Sequence, residues 1–286
     1  MRNTLIFCLL LFSAISFSQV VNLENDDYLF TDTIQQHYFS FGISANYFKR
    51  QDLQSSPLLY QGALIGGNIA FESEGNKHKY EINLKGFYGN LSATTEYVIY
   101  PATEYTLNFN FRYVHSITRS DSKFRNFIGG QINNNALFYY NYNLQNASLN
   151  YSFLNNLALS YQVEHYFSWK SKTLKIWFLK INRRNRKIKL DFKFNLPIFF
   201  YNLRPPYSSI SDFSNGENFI DIDSQSFFIF NNAFQINTNM NMTYYLSNNN
   251  AIRISYLWQG FKFTDVFNSY QSTEHILQFS LLFRLN

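Results

Sequence analysis

The 286-residue chain carries 24 Lys and Arg against 19 Asp and Glu, a formal net charge of +5, yet only 15% of it is charged and 20% is aromatic, with 32 Phe and 22 Tyr. Mean hydropathy is −0.25, and beyond the first residues no uninterrupted apolar stretch reaches the roughly 20 residues of a spanning helix, which excludes a helical membrane fold. So many rings exceed what a soluble core of this size needs, and some apolar or interfacial surface must receive them.

The chain opens with Arg2 and an apolar run from Leu5 through Phe12 and Ala14, closing on Ser16-Phe17-Ser18-Gln19. This is the pattern of a cleaved secretory signal peptide over residues 1–19, its apolar part of about 14 residues being short for a spanning anchor. The single cysteine, Cys8, lies inside that run rather than after it. Neither a lipid-modified cysteine nor a disulfide is therefore expected in the mature chain. Residues 20–36, with Glu24, Asp26 and Asp27, read as a short acidic lead-in, and 37–286 as one domain, because no repeat or Gly/Ser linker divides them.

From residue 37 onward the dominant signal is alternation with period two. Phe39, Phe41, Ile43, Ala45 and Tyr47 alternate with Ser40, Gly42, Ser44 and Asn46; Tyr80, Ile82, Leu84 and Tyr88 stand against Lys79, Glu81, Asn83 and Lys85. Tyr105, Leu107, Phe109, Phe111 and Tyr113 form one row, and Glu104, Thr106, Asn108, Asn110 and Arg112 the other. Ile188, Leu190, Phe192, Phe194, Leu196, Ile198 and Phe200 alternate with Lys189, Asp191, Lys193 and Asn195. Phe228, Phe230, Phe234, Ile236, Met240, Met242 and Tyr244 do the same with Gln235, Asn237, Asn239 and Asn241. A soluble sandwich also alternates, but rows this long and aromatic suit lipid on one side and a polar lumen on the other.

The pattern predicts strands at 37–48, 60–72, 78–90, 104–117, 124–140, 154–168, 187–203, 225–246, 250–263 and 273–285. Short polar turns at 73–77, 118–123 and 247–250 alternate with longer connections at 49–59, 91–103, 141–153, 204–224 and 264–272. Short periplasmic turns and longer outer loops mark a bacterial transmembrane barrel, whose strand number is even. The expected fold is thus an all-β, antiparallel transmembrane β-barrel of ten strands, with twelve as the alternative if 124–153 hides another. Residues 20–36 then lie on the periplasmic side. Trp169–Arg186 could pass for an eleventh strand, and parity assigns it to a periplasmic connection, a hairpin-like extension of its neighbours.

At the C-terminus Leu277, Phe279, Leu281, Phe283 and Leu285 alternate with Gln278, Ser280, Leu282 and Arg284. This resembles the final strand by which Gram-negative outer-membrane proteins are recognised by the barrel-assembly machinery, although Asn286 stands where an aromatic residue is usual. The resemblance implies a bacterial outer-membrane location, with that machinery and the outer-membrane lipids as partners, and names no functional subfamily.

Charge is concentrated in one place. Lys170, Lys172, Lys175, Lys180, Arg183, Arg184, Arg186, Lys187 and Lys189 occur with no acid among them; these and Arg2 set aside, 14 basic residues remain against 19 acidic ones. With Trp169, Trp177 and Phe178 beside them, they read as side chains reaching phospholipid head groups, or as a docking patch for an envelope partner. Nucleic acid is not an expected partner of an exported chain.

The inward rows carry Glu72, Lys79, Glu81, Lys85, Glu104, Arg112, Glu164, Lys189, Asp191, Lys193 and Arg253, which in so narrow a barrel should pair and occlude the lumen. Catalytic patterns are incomplete. Asp221-Ile222-Asp223 resembles one half of the paired motifs of the ten-stranded omptin-like proteases, but no Asp-x-His occurs. His115-Ser116 resembles the pair of outer-membrane lipid hydrolases, yet adjacent strand residues point to opposite faces. His37, His78, His165 and His275 occur singly, with no metal-site spacing and no cofactor motif. The expectation is a non-enzymatic structural or accessory subunit of an envelope complex; a narrow channel or binding barrel for a small polar or amphiphilic molecule is the alternative, and a hydrolase the third reading.

Sidedness is testable at two loops. An epitope inserted after Asn215 should be reached by antibody on intact cells, and one after Asn185 only once the outer membrane is permeabilised. Surface labelling at Asn185 would overturn the ten-strand topology.

Overall fold

The structure, a computed structural model, describes residues 35–95, 98–118, 122–147, 149–169, 174–176, 179–181, 186–204, 223–228, 232–246, 248–264 and 269–285. The expected signal peptide and nearly all of the acidic lead-in fall outside them. The described strands are β1 (Gln36–Asp52), β2 (Ser56–Glu74), β3 (His78–Thr94), β4 (Ile99–Ser116), β5 (Phe124–Tyr140), β6 (Leu149–Trp169), β7 (Leu174–Ile176), β8 (Leu179–Ile181), β9 (Arg186–Arg204), β10 (Asp223–Phe228), β11 (Ala233–Tyr245), β12 (Ala251–Phe263) and β13 (Tyr270–Leu285).

Each long strand pairs antiparallel with its successor, and β13 returns to β1 in unbroken register from His37↔Leu285 to Asp52↔Tyr270. β6 pairs with β9, and both β10 and β11 lie on the other side of β9, so these two are one interrupted stave. The sheet is therefore a closed barrel of ten staves. Twelve is excluded: β5 and β6 are neighbours through Phe124↔His165 to Tyr140↔Leu149. The described residues within the ambiguous segment form a small ribbon, β7 pairing with β8, which follows β6 and precedes β9 in the chain. Both described termini and the ends of β2 and β3, of β4 and β5 and of β11 and β12 that succeed one another in the chain share one end of the barrel, as do the ends of β6 and β9 that flank this ribbon. Between β11 and β12, Asn249 takes a positive φ of 63°, which Asn tolerates better than other side-chain-bearing residues.

Strands extend further than the alternation predicts at the end away from the termini. The expected loop at 49–59 is a turn of three residues, 53–55, and β3 and β4 run through most of 91–103. There the outward face turns polar as well: Tyr47 donates to Gln61 at 3.2 Å, Gln271 to Gln51 at 2.7 Å and Thr103 to Asn90 at 3.2 Å. With polar residues outward and a mixture of polar and apolar ones inward, the period-two signal loses its phase while the backbone ladder continues.

The face assignment holds along most staves. Ile43, Ile65, Leu107 and Leu277 point outward and are half or more exposed, whereas Ser40, Asn46, Glu72, Lys79, Glu104 and Arg253 are buried inside. Outward rings gather toward the two ends. Tyr88, Tyr105, Phe138 and Tyr151 are successive register partners around β3 to β6, and Phe71, Tyr80, Tyr113, Phe124 and Tyr161 lie toward the end with the termini. Such girdles with an apolar belt between them are the lipid-facing surface of a transmembrane barrel.

One row is corrected. Leu157 pairs with Phe199 but the next residue, Ala158, pairs with Pro197, leaving Ile198 as a bulge. Pro197 has no N–H for the ladder, and a bulge is where a strand admits it. The extra residue flips parity, so Phe200 is fully buried in the lumen rather than in the outward row. Inside, Gly66 matters for a close approach: a Cβ there would meet the backbone carbonyl of Gly86 and the ring of Phe87.

Phe109 faces lipid between the girdles and its neighbour Asn110 faces the lumen. Phe109→Arg should destabilise the barrel by about 2 to 4 kcal/mol if it lies near the midplane, and Asn110→Arg much less. Urea titration of both variants folded in lipid vesicles, read by heat-modifiable gel mobility, compares them; equal stability would refute the face assignment.

Candidate functional site

The lumen is built in three layers. Toward the end with the termini, ion pairs cross from wall to wall. Arg253 of β12 holds Glu72 of β2 through two nitrogens at 2.6 and 2.8 Å and lies 3.7 Å from Glu74. Lys189 of β9 also pairs with Glu74, and Lys79 of β3 with Glu164 of β6, which Arg125 approaches at 3.5 Å. Glu81 takes Arg112 at 3.1 Å and Lys193 at 2.7 Å; Asn241 donates to Asp191 at 2.7 Å. The partners of each pair come from different strands, so the sequence shows separate ionic residues where the closed fold makes a network.

At the far end the inward rows become apolar. Phe48, Tyr60, Leu64, Phe87, Leu91, Leu137, Tyr139 and Ile276 pack together across the lumen, and Phe200, Phe261 and Phe263 form a second cluster. Tyr60 and Tyr139 meet edge to face at 5.5 Å, and Asn141 donates to both hydroxyls. The guanidinium of Arg50, fully buried, lies 3.8 Å from the Tyr139 ring centroid and 3.2 Å from Glu104. Above it Arg204 binds both oxygens of Asp52, at 2.8 and 3.0 Å.

Between these layers lies a chamber of about 90 Å³ walled mainly by amides. Asn110 donates to Asn133, Asn133 to Asn156 at 2.7 Å, Asn156 to Gln235 at 3.4 Å and Gln235 to Asn237 at 3.0 Å, a belt running from β4 to β11. Among the described residues, the buried amide oxygens of Asn83 and Asn239 find no hydrogen-bond donor and Nε of Arg112 no acceptor. Lys85 and Glu274 also line the chamber. Among the described residues neither stands in an ion pair, Glu274 accepting only from Asn46 at 2.9 Å. Pairing is thus the rule for the inward charges, with Lys85 and Asp191, the latter bonded to Asn241, the exceptions to the expectation among the described residues.

Of the basic run, Lys170, Lys172, Trp177, Arg183 and Arg184 lie outside the described residues. Lys175 and Lys180 are register partners in the β7–β8 ribbon, and Arg186 pairs with Trp169 at the start of β9. Lys187 shares the inward row of Lys189 and Asp191, its Nζ 4.3 Å from the Tyr166 ring centroid and 5.2 Å from that of Tyr245. Asp221 and Ile222 are likewise outside the described residues. His115 is exposed on the lipid-facing row and Ser116 belongs to the other, as alternation requires. The histidines are less scattered than the sequence suggests: β3–β4 register sets His78 against His115, their Nδ1 atoms 3.2 Å apart, with the Tyr113 hydroxyl 2.6 Å from His78. Among the described residues no three His, Cys, Asp or Glu are grouped to hold a metal.

The aromatic layer is what sequence reading missed. Its signal was present in the inward row of β1, which runs Ser44, Asn46, Phe48, Arg50, but a ring inside a polar row is recognised only when closure shows what it meets.

Closed antiparallel walls, an outward apolar belt between aromatic girdles and a polar interior define the architecture of an outer-membrane β-barrel. No protein-family model matches the chain, and no curated protein matches it. Among solved structures it is similar to the outer membrane protease OmpT from Escherichia coli, with 8% identity, a TM-score of 0.44, and coverage of 87% of this chain and 97% of that one. It is also similar to Neisserial surface protein A, with 7% identity, a TM-score of 0.32, and coverage of 86% and 97%. A third is the translocator domain of the autotransporter NalP from Neisseria meningitidis, with 5% identity, a TM-score of 0.34, and coverage of 86% and 88%.

Removing one partner of a buried pair leaves an uncompensated charge. Glu72→Ala should cost about 3 to 5 kcal/mol, and the double variant Glu72→Ala with Arg253→Met clearly less than the sum of the two single changes. Denaturant unfolding of the four proteins in lipid vesicles measures the coupling; strict additivity would mean that the pair contributes nothing as a pair.

Proposed function

We propose that this is an integral barrel of a bacterial outer membrane, exported by a cleaved signal peptide, that works as a non-enzymatic structural or accessory subunit of an envelope complex rather than as a pore. One observation carries the reading: the lumen is crossed by ion pairs at one end and by packed rings at the other, with about 90 Å³ between. A general porin takes about 16 to 18 strands to leave an aqueous channel, and ten leave room only for side chains that meet in the middle. Supporting the non-enzymatic part, His37, His78, His115, His165 and His275 all sit on lipid-facing rows, away from the polar lumen where a general base would meet a polar substrate. The part played in an envelope complex then rests with the outer surfaces and loops.

A second reading, a binding barrel for a small polar molecule, is favoured by the chamber itself. Lys85 and Glu274 offer opposite charges without ion-pair partners there, and the amide walls offer donors and acceptors, a set suited to a small zwitterion such as an amino acid.

Planar-bilayer recording of the refolded protein should show no reproducible conductance steps. Steps of constant size would overturn the occluded-barrel reading. Calorimetric titration with a set of free amino acids addresses the second reading: saturable heat that Lys85→Met and Glu274→Gln both abolish would support it, and absence of heat in the wild-type protein would end it.

A further inference from the structure

Between the girdles the outward rows are almost wholly apolar, as lipid demands, with one conspicuous break. On β5 the row runs Ile128, Gly130, Ile132, Asn134, Ala136, Phe138, and on β6 Asn155 stands between Phe153 and Leu157. The β5–β6 register makes Asn134 and Asn155 direct partners. Each lies four residues inside the girdle ring of its own strand, Phe138 or Tyr151, which is about 13 Å along a strand. Both are therefore within the hydrocarbon belt. Neither side-chain amide makes a hydrogen bond with any described residue. Their contrast is Asn126, also outward but at girdle level, which accepts from the Tyr161 hydroxyl at 2.8 Å.

An amide facing acyl chains has nothing to bond, so polar groups at that depth normally turn to protein or to water. Head groups lie a girdle away, and a soluble partner cannot reach the site. The surface around the pair is shaped for close approach: Gly130 and Ala136 lower the wall along β5, while Phe153 and Tyr201 rise beside Asn155. A carboxamide is both donor and acceptor. A patch of two such groups is complementary to itself, which is what a twofold interface requires, the same surface serving on both subunits.

We infer that a second copy of this chain docks on the β5–β6 face, about a twofold axis along the membrane normal, with the Asn134 and Asn155 amides of the two copies bonded to each other in the bilayer. The inference stands apart from the closed lumen, since it uses only the outward rows.

Cross-linking in native outer membranes tests it. In a Cys8→Ser background, Ala136→Cys should give a disulfide-linked species of twice the monomer mass on mild oxidation. Leu277→Cys, exposed on β13 on the other side of the barrel, should give none. In detergent, sedimentation equilibrium of the full chain should show a dimer whose dissociation constant rises about 10-fold or more in the Asn134→Leu, Asn155→Leu double variant, in keeping with the modest strength of such bonds in membranes. That variant removes polar groups from the lipid face and should keep its heat-modifiable mobility; the cross-link does not depend on it. A monomer with no cross-link at Ala136→Cys, a cross-link to a chain of different mass, or a dimer indifferent to the double variant would each overturn self-association through this face.

Discussion

In hydrocarbon a backbone N–H or C=O without a partner has no water to turn to, and the only sheet that leaves none unpaired is one that closes. Closure here is the β1–β13 ladder, unbroken over the whole of both strands. Once the ladder is closed, period two no longer divides core from water; it divides lipid from lumen. A one-residue slip of any stave would bring a row such as Tyr105, Leu107, Phe109 inside and carry Glu104 and Arg112 into acyl chains, so register is held by two solvents at once.

Ten staves leave an interior that long side chains can span, and the walls are apportioned accordingly. Ser40, Gly42 and Ser44 on β1, with Ser280 on β13 and Ser255 on β12, keep one side low. Opposite them arise Lys189, Lys193 and Arg112, which reach carboxylates on other strands. The desolvation of these charges offsets much of their attraction, so the network adds little to stability compared with an apolar filling, and its effect lies in discrimination. A misregistered barrel would strand buried charges; the native one pairs β2 with β12, β3 with β6 and β9, and β1 with β4 through side chains alone.

The outward rows were legible in the sequence because every second residue between the girdles answers to the same apolar solvent. Legibility ended where that condition failed. Beyond the girdle the outward face is polar while the inward face mixes Arg50 and Asp52 with Leu91 and Ala93, so the alternation loses its phase and the strand extensions at 49–52 and 91–94 were read as loops. At Pro197 a bulge inserted one residue, and Phe200, apolar on either reading, gave no sign that it had changed sides. The inward charges were legible as a set, but not as pairs, because partners such as Glu72 and Arg253 are far apart in sequence and meet only after closure. Lys187 looked like one more cation of a basic run, although its row, shared with Lys189 and Asp191, leads inward. The aromatic layer of Phe48, Tyr60 and Tyr139 was hidden for the converse reason: a ring is the expected residue of the outward row, and an isolated one out of phase is easily counted with it.

The barrel is also unequal around its circumference. The sector of β13, β1 and β2 keeps register over nearly its whole height, its one shift lying at the Gln51/Asp52 end. The sector of β5, β6 and β9 has its bulge at mid-height, at Leu157/Ala158. There Pro197 interrupts the ladder, and asparagines lie on both faces of the same two strands: Asn133 and Asn156 in the inner amide belt, Asn134 and Asn155 outside. The inner pair is accounted for, bonded to each other and onward to Gln235. The outer pair has the same chemistry in the opposite solvent. A sheet under no demand but lipid would carry Leu or Ile at both outer positions, as the facing sector does with Ile43, Leu277 and Phe279. Irregular backbone and unspent amides are thus concentrated in one sector, with a more regular ladder across from it, and this is the asymmetry that self-association through the β5–β6 face would use.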